Sequence, residues 1–270
     1  MPGDVTENVN RMEPLIVEAR RRGADLVQFS ECGVTGYDLK NVGVNAAIPQ
    51  DHPSLDRIAS IARANDLMVV AGYYERAGTV LYNSATAVYP DGRRFTQRKH
   101  NIIEFEKQNT PTQPGRRDRD LFKFRGLTFA ILICADSGMP GIYEELAAKR
   151  VDAVLGPTAG LGSIENGFRL KDLNTPDRRD AYFRAAETVL SLSSAALCAL
   201  QLDMGSVYCN QAGWIESAGY FQPGRSSVID RTGHLSALIP GQMLAEFLRP
   251  ELALGILHGN SDADSQRFPR

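Results

Sequence analysis

Apolar residues recur at helical spacing over positions 8–22, where Val9, Met12, Leu15, Ile16 and Ala19 share one face and Glu and Arg fill the other. Gly23 stands where such a helix stops, and Pro14 predicts a helix that starts late or kinks. The apolar run 24–29 follows with the length of a buried strand, so the chain opens as helix then strand. The pattern returns at 54–66, whose Leu55, Ile58, Ile61 and Ala62 share a face, and at 67–74, a second strand. Pro90-Asp91-Gly92 between the runs 81–89 and 93–99 marks a hairpin, because glycine supplies the positive φ that the turn requires. A second hairpin, about Arg125-Gly126, joins 121–124 to 127–133, and its second strand runs straight into Cys134.

Further along, 142–149 reads as a helix and 153–155 as a strand. A polar, glycine-containing loop at 160–176, a long helix over about 177–202, a strand at 206–209 and a hairpin of 226–229 with 235–238 complete the pattern. Strands and helices alternate with hairpins inserted, which predicts an α/β fold with a mixed sheet, or two such sheets. No internal repeat, low-complexity linker or composition break appears, so 1–270 reads as a single domain with a flexible tail at about 256–270.

Composition narrows the classes. With 43% apolar residues and 30 basic against 32 acidic side chains, the chain is neither disordered, collagenous nor a coiled coil. The net charge of −2 carries no chain-wide signature for nucleic acid or an anionic membrane. Cys32, Cys134, Cys198 and Cys209 form no CxxC pair, which reads as a reducing, cytoplasmic setting. The longest mostly apolar stretch, 189–202, is broken by Ser191, Ser193, Ser194 and Gln201, so neither a signal peptide nor a membrane span is expected. His52, His100, His234 and His258 fall in no ligand spacing, and no metal is expected.

Three residues stand at the carboxyl ends of predicted strands, where α/β sheets gather their chemistry: Glu31, Lys99 and Cys134. Cys134 leaves the run Phe129-Ala130-Ile131-Leu132-Ile133 on a tight turn, with backbone N–H groups near its sulfur. Glu31 at a strand end can act as a general base. Each also has an ordinary explanation: an inert buried thiol, a loop carboxylate capping N–H groups, a solvated basic strand end. None of the three decides the matter singly.

Together with their surroundings they resemble the nitrilase, or carbon–nitrogen hydrolase, superfamily. Gly23-Ala24-Asp25-Leu26-Val27-Gln28-Phe29-Ser30-Glu31 with Thr35-Gly36-Tyr37 resembles its glutamate motif, Arg98-Lys99-His100 its lysine motif and Ile133-Cys134-Ala135-Asp136 its nucleophile motif. Asn83-Ser84-Ala85, Gly156-Pro157-Thr158-Ala159, Asn210-Gln211-Ala212-Gly213 and the segment from Gly224 to Asp230 also fall in family order. For the family's fourth carboxylate the best match is Glu106, with Glu104 second.

The resemblance implies a Glu31–Lys99–Cys134 triad in which Glu31 takes the thiol proton and Cys134 attacks an amide or nitrile carbon. Lys99 and the N–H of Ala135 would stabilise the oxyanion, and Glu106 would orient Lys99 or the substrate. It further implies a four-layer α-β-β-α sandwich, a homodimer or higher oligomer, and no cofactor. Members carry a strand ahead of the first helix that has no counterpart after Met1-Pro2-Gly3-Asp4, so the first strand is expected to be missing. The leading expectation is hydrolysis of a small amide or N-carbamoyl compound. Nitrile hydrolysis, cysteine acyl transfer and an inactive binding module are the alternatives. Cys134 is also expected to be alkylated in preference to Cys32, Cys198 and Cys209, having both a base and a cation nearby.

Overall fold

The computed structural model describes residues 2–38, 45–160, 202–215, 220–224, 226–231 and 235–238. Helix α1 (Val5–Arg21) is capped by Asp4, whose carboxylate accepts from the Glu7 amide at 3.0 Å. It starts well ahead of Pro14, contrary to the late start read from the sequence. Pro14 and Asn10 are both exposed, so water can serve the Asn10 carbonyl that lacks a proline N–H. Strand β1 (Leu26–Gln28) runs parallel to β2 (Met68–Ala77), after helix α2 (Pro53–Ala64). Strands β3 (Val80–Val88) and β4 (Arg94–Arg98) extend this sheet by antiparallel pairing, in the order β1-β2-β3-β4. Among the described residues β1 is its edge.

After the short helix α3 (Glu104–Asn109), strands β5 (Phe122–Phe124) and β6 (Leu127–Ile131) form the hairpin expected about Arg125-Gly126. Helix α4 (Ile142–Ala148), β7 (Ala153–Thr158) and β8 (Gly205–Asn210) follow. Strands β9 (Ala212–Ile215) and β10 (Tyr220–Pro223) make a separate hairpin, and β11 (Ser227–Ile229) pairs with β12 (Leu235–Leu238). The second sheet has the order β12-β11-β8-β7-β6-β5, with β6, β7 and β8 parallel and its outer pairs antiparallel. This is an α/β fold with mixed sheets.

Side-chain alternation stacks the layers. On β2, Val69, Ala71 and Tyr73 pack with Ile16 of α1 and Ile58 of α2, whereas Met68 and Val70 pack with Phe129 and Ile131 of β6. On β6 and beyond it, Ala130 and Leu132 turn the other way, against Ile142 and Leu146 of α4. The order is therefore α1 and α2, first sheet, second sheet, α4. Each fully buried Ile or Leu in these interfaces contributes about 1.5–3 kcal/mol relative to leaving it in water.

Two strands run farther than the apolar pattern indicates. Strand β2 continues through Glu75 because Arg98 on β4, Ser84 on β3 and Gln50 satisfy that buried carboxylate. Strand β7 continues through Gly156 and Pro157, paired in parallel with Tyr208 and Cys209. The expected long helix at 177–202, all but the first residue of the loop at 160–176 and the tail at 256–270 lie outside the described residues, save Leu202.

Candidate active site

The site grows from one face of the first sheet. Ala85 and Ala87 of β3 face the second sheet, and period-two alternation puts Asn83 on the same side. Ser84 pairs with Arg98, and the Lys99 amide donates to the Asn83 carbonyl at 2.8 Å, so Asn83 and Lys99 are cross-strand neighbours. Glu31 enters from the turn after β1, and Glu106 from α3, where its carboxylate also accepts from the Ile103 amide at 3.1 Å.

Glu31, Asn83, Lys99 and Glu106 are each 0% exposed. Lys99 Nζ lies 2.8 Å from Glu31 Oε1 and 2.7 Å from Glu106 Oε2. Asn83 Nδ2 donates to Glu31 Oε1 at 2.7 Å and to Glu106 Oε1 at 2.9 Å. The second oxygen of Glu31, Oε2, accepts from the backbone N–H of Ala159 at the end of β7, at 2.8 Å. Gln211 donates to the Glu31 carbonyl at 2.7 Å, so this turn is held from both sheets.

Electrostatics follow from this packing. Burial acts to strip the proton from Lys99, but Glu31, Cys134 and Glu106 outweigh it and hold the ammonium well above its ordinary range. Burial pushes Glu106 up, opposed by Lys99 and reinforced by the like charge of Glu31. One cation thus faces two carboxylates where an isolated ion would cost several kcal/mol.

Cys134 opens a 3-10 turn (Cys134–Gly138) directly after Ile133, with a φ of +50° that few side chains adopt. The Asp136 carboxylate accepts from the amides of His100 at 3.0 Å and Asn101 at 2.8 Å, while Asn101 Nδ2 donates to the Ala135 carbonyl at 2.8 Å. The residues following Lys99 and the Cys134 turn are therefore bound to each other. Arg119, itself buried, stands 3.7 Å from Asp136 and donates to the Arg98 carbonyl at 3.1 Å.

Burial and the Glu31 charge push the Cys134 thiol up, against the opposing pull of Lys99 and the Ala159 N–H. Glu31 and Lys99 act on the Cys32 thiol as well, so a base and a cation nearby do not set Cys134 apart from Cys32, and Cys198 lies outside the described residues. Cys209 is also pushed up, to about 11, by burial.

Of the two candidates for the fourth carboxylate, Glu106 lies in the cluster, whereas Glu104 is exposed and contacts Lys107 and Gln108. The sequence reading assigned no part to Asn83, Asp136 or Ala159. The signal for Asn83 was present: a polar residue in phase with the inward-facing Ala85 and Ala87. Among the described residues no group of three or more His, Cys, Asp or Glu side chains could hold a metal ion, and no helix is long and apolar enough to cross a membrane.

A "Nitrilase" of Pyrococcus abyssi is 31% identical over 154 residues, covering 56% of this chain and 58% of that protein. A "Glutamine-dependent NAD(+) synthetase" of Xylella fastidiosa is 26% identical over 255 residues, 90% of this chain and 45% of that protein. The chain thus spans less than two thirds of the length of these curated relatives. An amidase from Nesterenkonia sp. superposes with a TM-score of 0.73 at 19% identity, covering 90% of this chain and 83% of the other, which is a likeness of fold. The family model described as carbon-nitrogen hydrolase matches residues 1–243, and the chain, which carries that fold, belongs to the carbon–nitrogen hydrolase family.

Proposed function

We propose that this chain hydrolyses a non-peptide C–N bond of a small amide or N-carbamoyl compound through a thioester on Cys134. The observation that carries the reading is the buried Glu31–Lys99–Glu106 cluster and its electrostatic hold on the Cys134 thiol.

The hydrogen-bond inventory divides the labour. Two of the three Lys99 ammonium protons go to Glu31 and Glu106, leaving one for a substrate oxygen. Glu31 Oε1 already accepts from Lys99 and Asn83, whereas among the described residues Oε2 accepts from Ala159 alone, so Oε2 is the atom that moves protons. As the Cys134 sulfur attacks the carbonyl carbon, Glu31 takes the thiol proton, and the carbonyl π pair becomes an oxyanion held by Lys99 and the Ala135 N–H. Glu31 returns the proton to the nitrogen, the C–N bond breaks, and ammonia or an amine leaves a thioester behind. Water then attacks with Glu31 as base. Collapse expels the thiolate, which regains its proton, and the free acid departs. Because the resting thiol is neutral, proton transfer and attack are coupled rather than sequential.

A second reading, nitrile hydrolysis, is favoured by the relative named nitrilase. There sulfur adds to the nitrile carbon, and hydrolysis of the resulting thioimidate releases ammonia. The test is ammonia release from primary amides including glutamine, N-carbamoyl compounds and nitriles, run beside Cys134→Ala. Release that vanishes in the variant supports the mechanism and ranks the substrate class. Release that persists in the variant overturns the mechanism, and a folded wild type silent on all classes overturns the hydrolase reading.

A further inference from the structure

We infer that Asn83 is a positioning residue of this site, the amide that clamps Glu31 and Glu106 to the geometry in which they serve Lys99 and Cys134, with the Cys32 thiol orienting that amide. The inference rests on the catalytic reading above and extends it to two residues with no assigned part.

Its ground is a closed hydrogen-bond account. Both Asn83 amide protons point at carboxylates, one to Oε1 of Glu31 and one to Oε1 of Glu106. The Asn83 carbonyl group of the backbone accepts from the Lys99 amide, and its side-chain Oδ1 accepts from Cys32 Sγ at 3.6 Å. Every polar atom of the Asn83 side chain is thereby spent within the cluster. A flipped amide would aim Oδ1 at two carboxylates, a repulsive arrangement in a buried site. The S–H of Cys32 donates to the correct orientation and none other. Burial and the charges of Glu31 and Glu106 hold that thiol protonated, so it remains a donor.

The consequence is chemical. Asn83 and Lys99 together occupy Glu31 Oε1 and leave Oε2 as the proton-transfer atom. Without the clamp the Glu31 carboxylate is held by Lys99 and the Ala159 N–H alone, so its soft terminal torsion has one restraint fewer and the aim of Oε2 loosens. Glu106 loses a donor that favours its charged form, so it takes up a proton at higher pH. The charged and titratable groups that act on the pair are Lys99 directly after β4, Cys134 on the 3-10 turn, Cys32 and Tyr37 after β1, Tyr74 on β2 and Tyr208 on β8.

The experiment compares wild type with Asn83→Ala, Asn83→Ser and Cys32→Ala, after melting curves establish which are folded. In Asn83→Ala, kcat is expected to fall on the order of 100-fold with KM little changed, and the acid limb of the kcat profile to move to higher pH. Asn83→Ser, which keeps one donor, falls between. Cys32→Ala loses several-fold. A folded Asn83→Ala, or Asn83→Ser should the alanine variant not fold, with wild-type kcat and an unmoved pH profile overturns the proposal.

A second readout separates this inference from the hydrolase reading: the pH dependence of Cys134 alkylation by iodoacetamide, which needs no substrate. Should the wild type release no ammonia from any class, a slowed alkylation with an acid limb raised in Asn83→Ala still supports the clamp. An unchanged alkylation profile overturns it.

Discussion

Glu31 passes so close over Gly72 that a Cβ added to Gly72 would lie 2.9 Å from the Glu31 Cα and 2.5 Å from the Cys32 amide nitrogen. Met68 and Val70 face the second sheet, so Gly72, next in phase on β2, is the point where the turn after β1 crosses that face. The bare backbone of Gly72 lets the carboxylate reach Asn83 and Lys99. A methyl group there must displace the turn, because the atoms it meets are backbone.

Gly72→Ala is therefore expected to cost about 1–3 kcal/mol, read as a lowered melting temperature. It should cost more in activity than in stability: a displacement near 1 Å at the base is worth on the order of 100-fold in kcat/KM. Wild-type turnover in a folded Gly72→Ala variant sinks the claim that this close approach sets the Glu31 position.

Lys99 neutralises two buried carboxylates, and its removal leaves both facing each other. Lys99→Met should destabilise the fold by about 3–5 kcal/mol, since breaking a buried pair leaves uncompensated charge. Ammonia release should fall on the order of 100-fold or more through the lost oxyanion donor. Denaturant unfolding and turnover are read on the same sample. Loss of stability with full activity would remove Lys99 from the chemistry and leave it a structural counterion.

Glu75 supplies an acid-dependent part of the stability. Burial pushes its carboxyl up, but the Arg98 guanidinium, the Ser84 hydroxyl and the Gln50 amide outweigh burial and hold it below its ordinary value of 4.5. The unfolded chain then binds a proton near 4.5 where the folded chain does not, so this stabilisation is present above that pH and fades as pH falls through the folded value. Melting curves across the acid range should show wild type losing stability more steeply below about pH 4.5 than Glu75→Gln does. Parallel curves would contradict the assignment.

Period and turn chemistry made the three helices α1, α2 and α4, most strands and the three hairpins about Gly92, Arg125-Gly126 and 230–233 legible, because burial of one face imposes spacing that a single chain displays. The helix α3 and the β9–β10 hairpin were not legible: α3 is six residues long, less than two turns, and held by Glu106 rather than by an apolar face.

What the sequence determined by itself is the set of candidate residues at strand ends and the alternation of strands, helices and hairpins that makes an α/β fold with mixed sheets. Only the tertiary structure decided which carboxylate joins the site. Glu104 and Glu106 are two positions apart on one helix, hence on roughly opposite faces, and either reads equally well in the chain. Docking of α3 buries the second and leaves the first in water. The same holds for the Cys134 thiol: the sequence supplies its neighbours, but the balance between desolvation, Glu31 and Lys99 is set by burial and distance, which linear order does not encode.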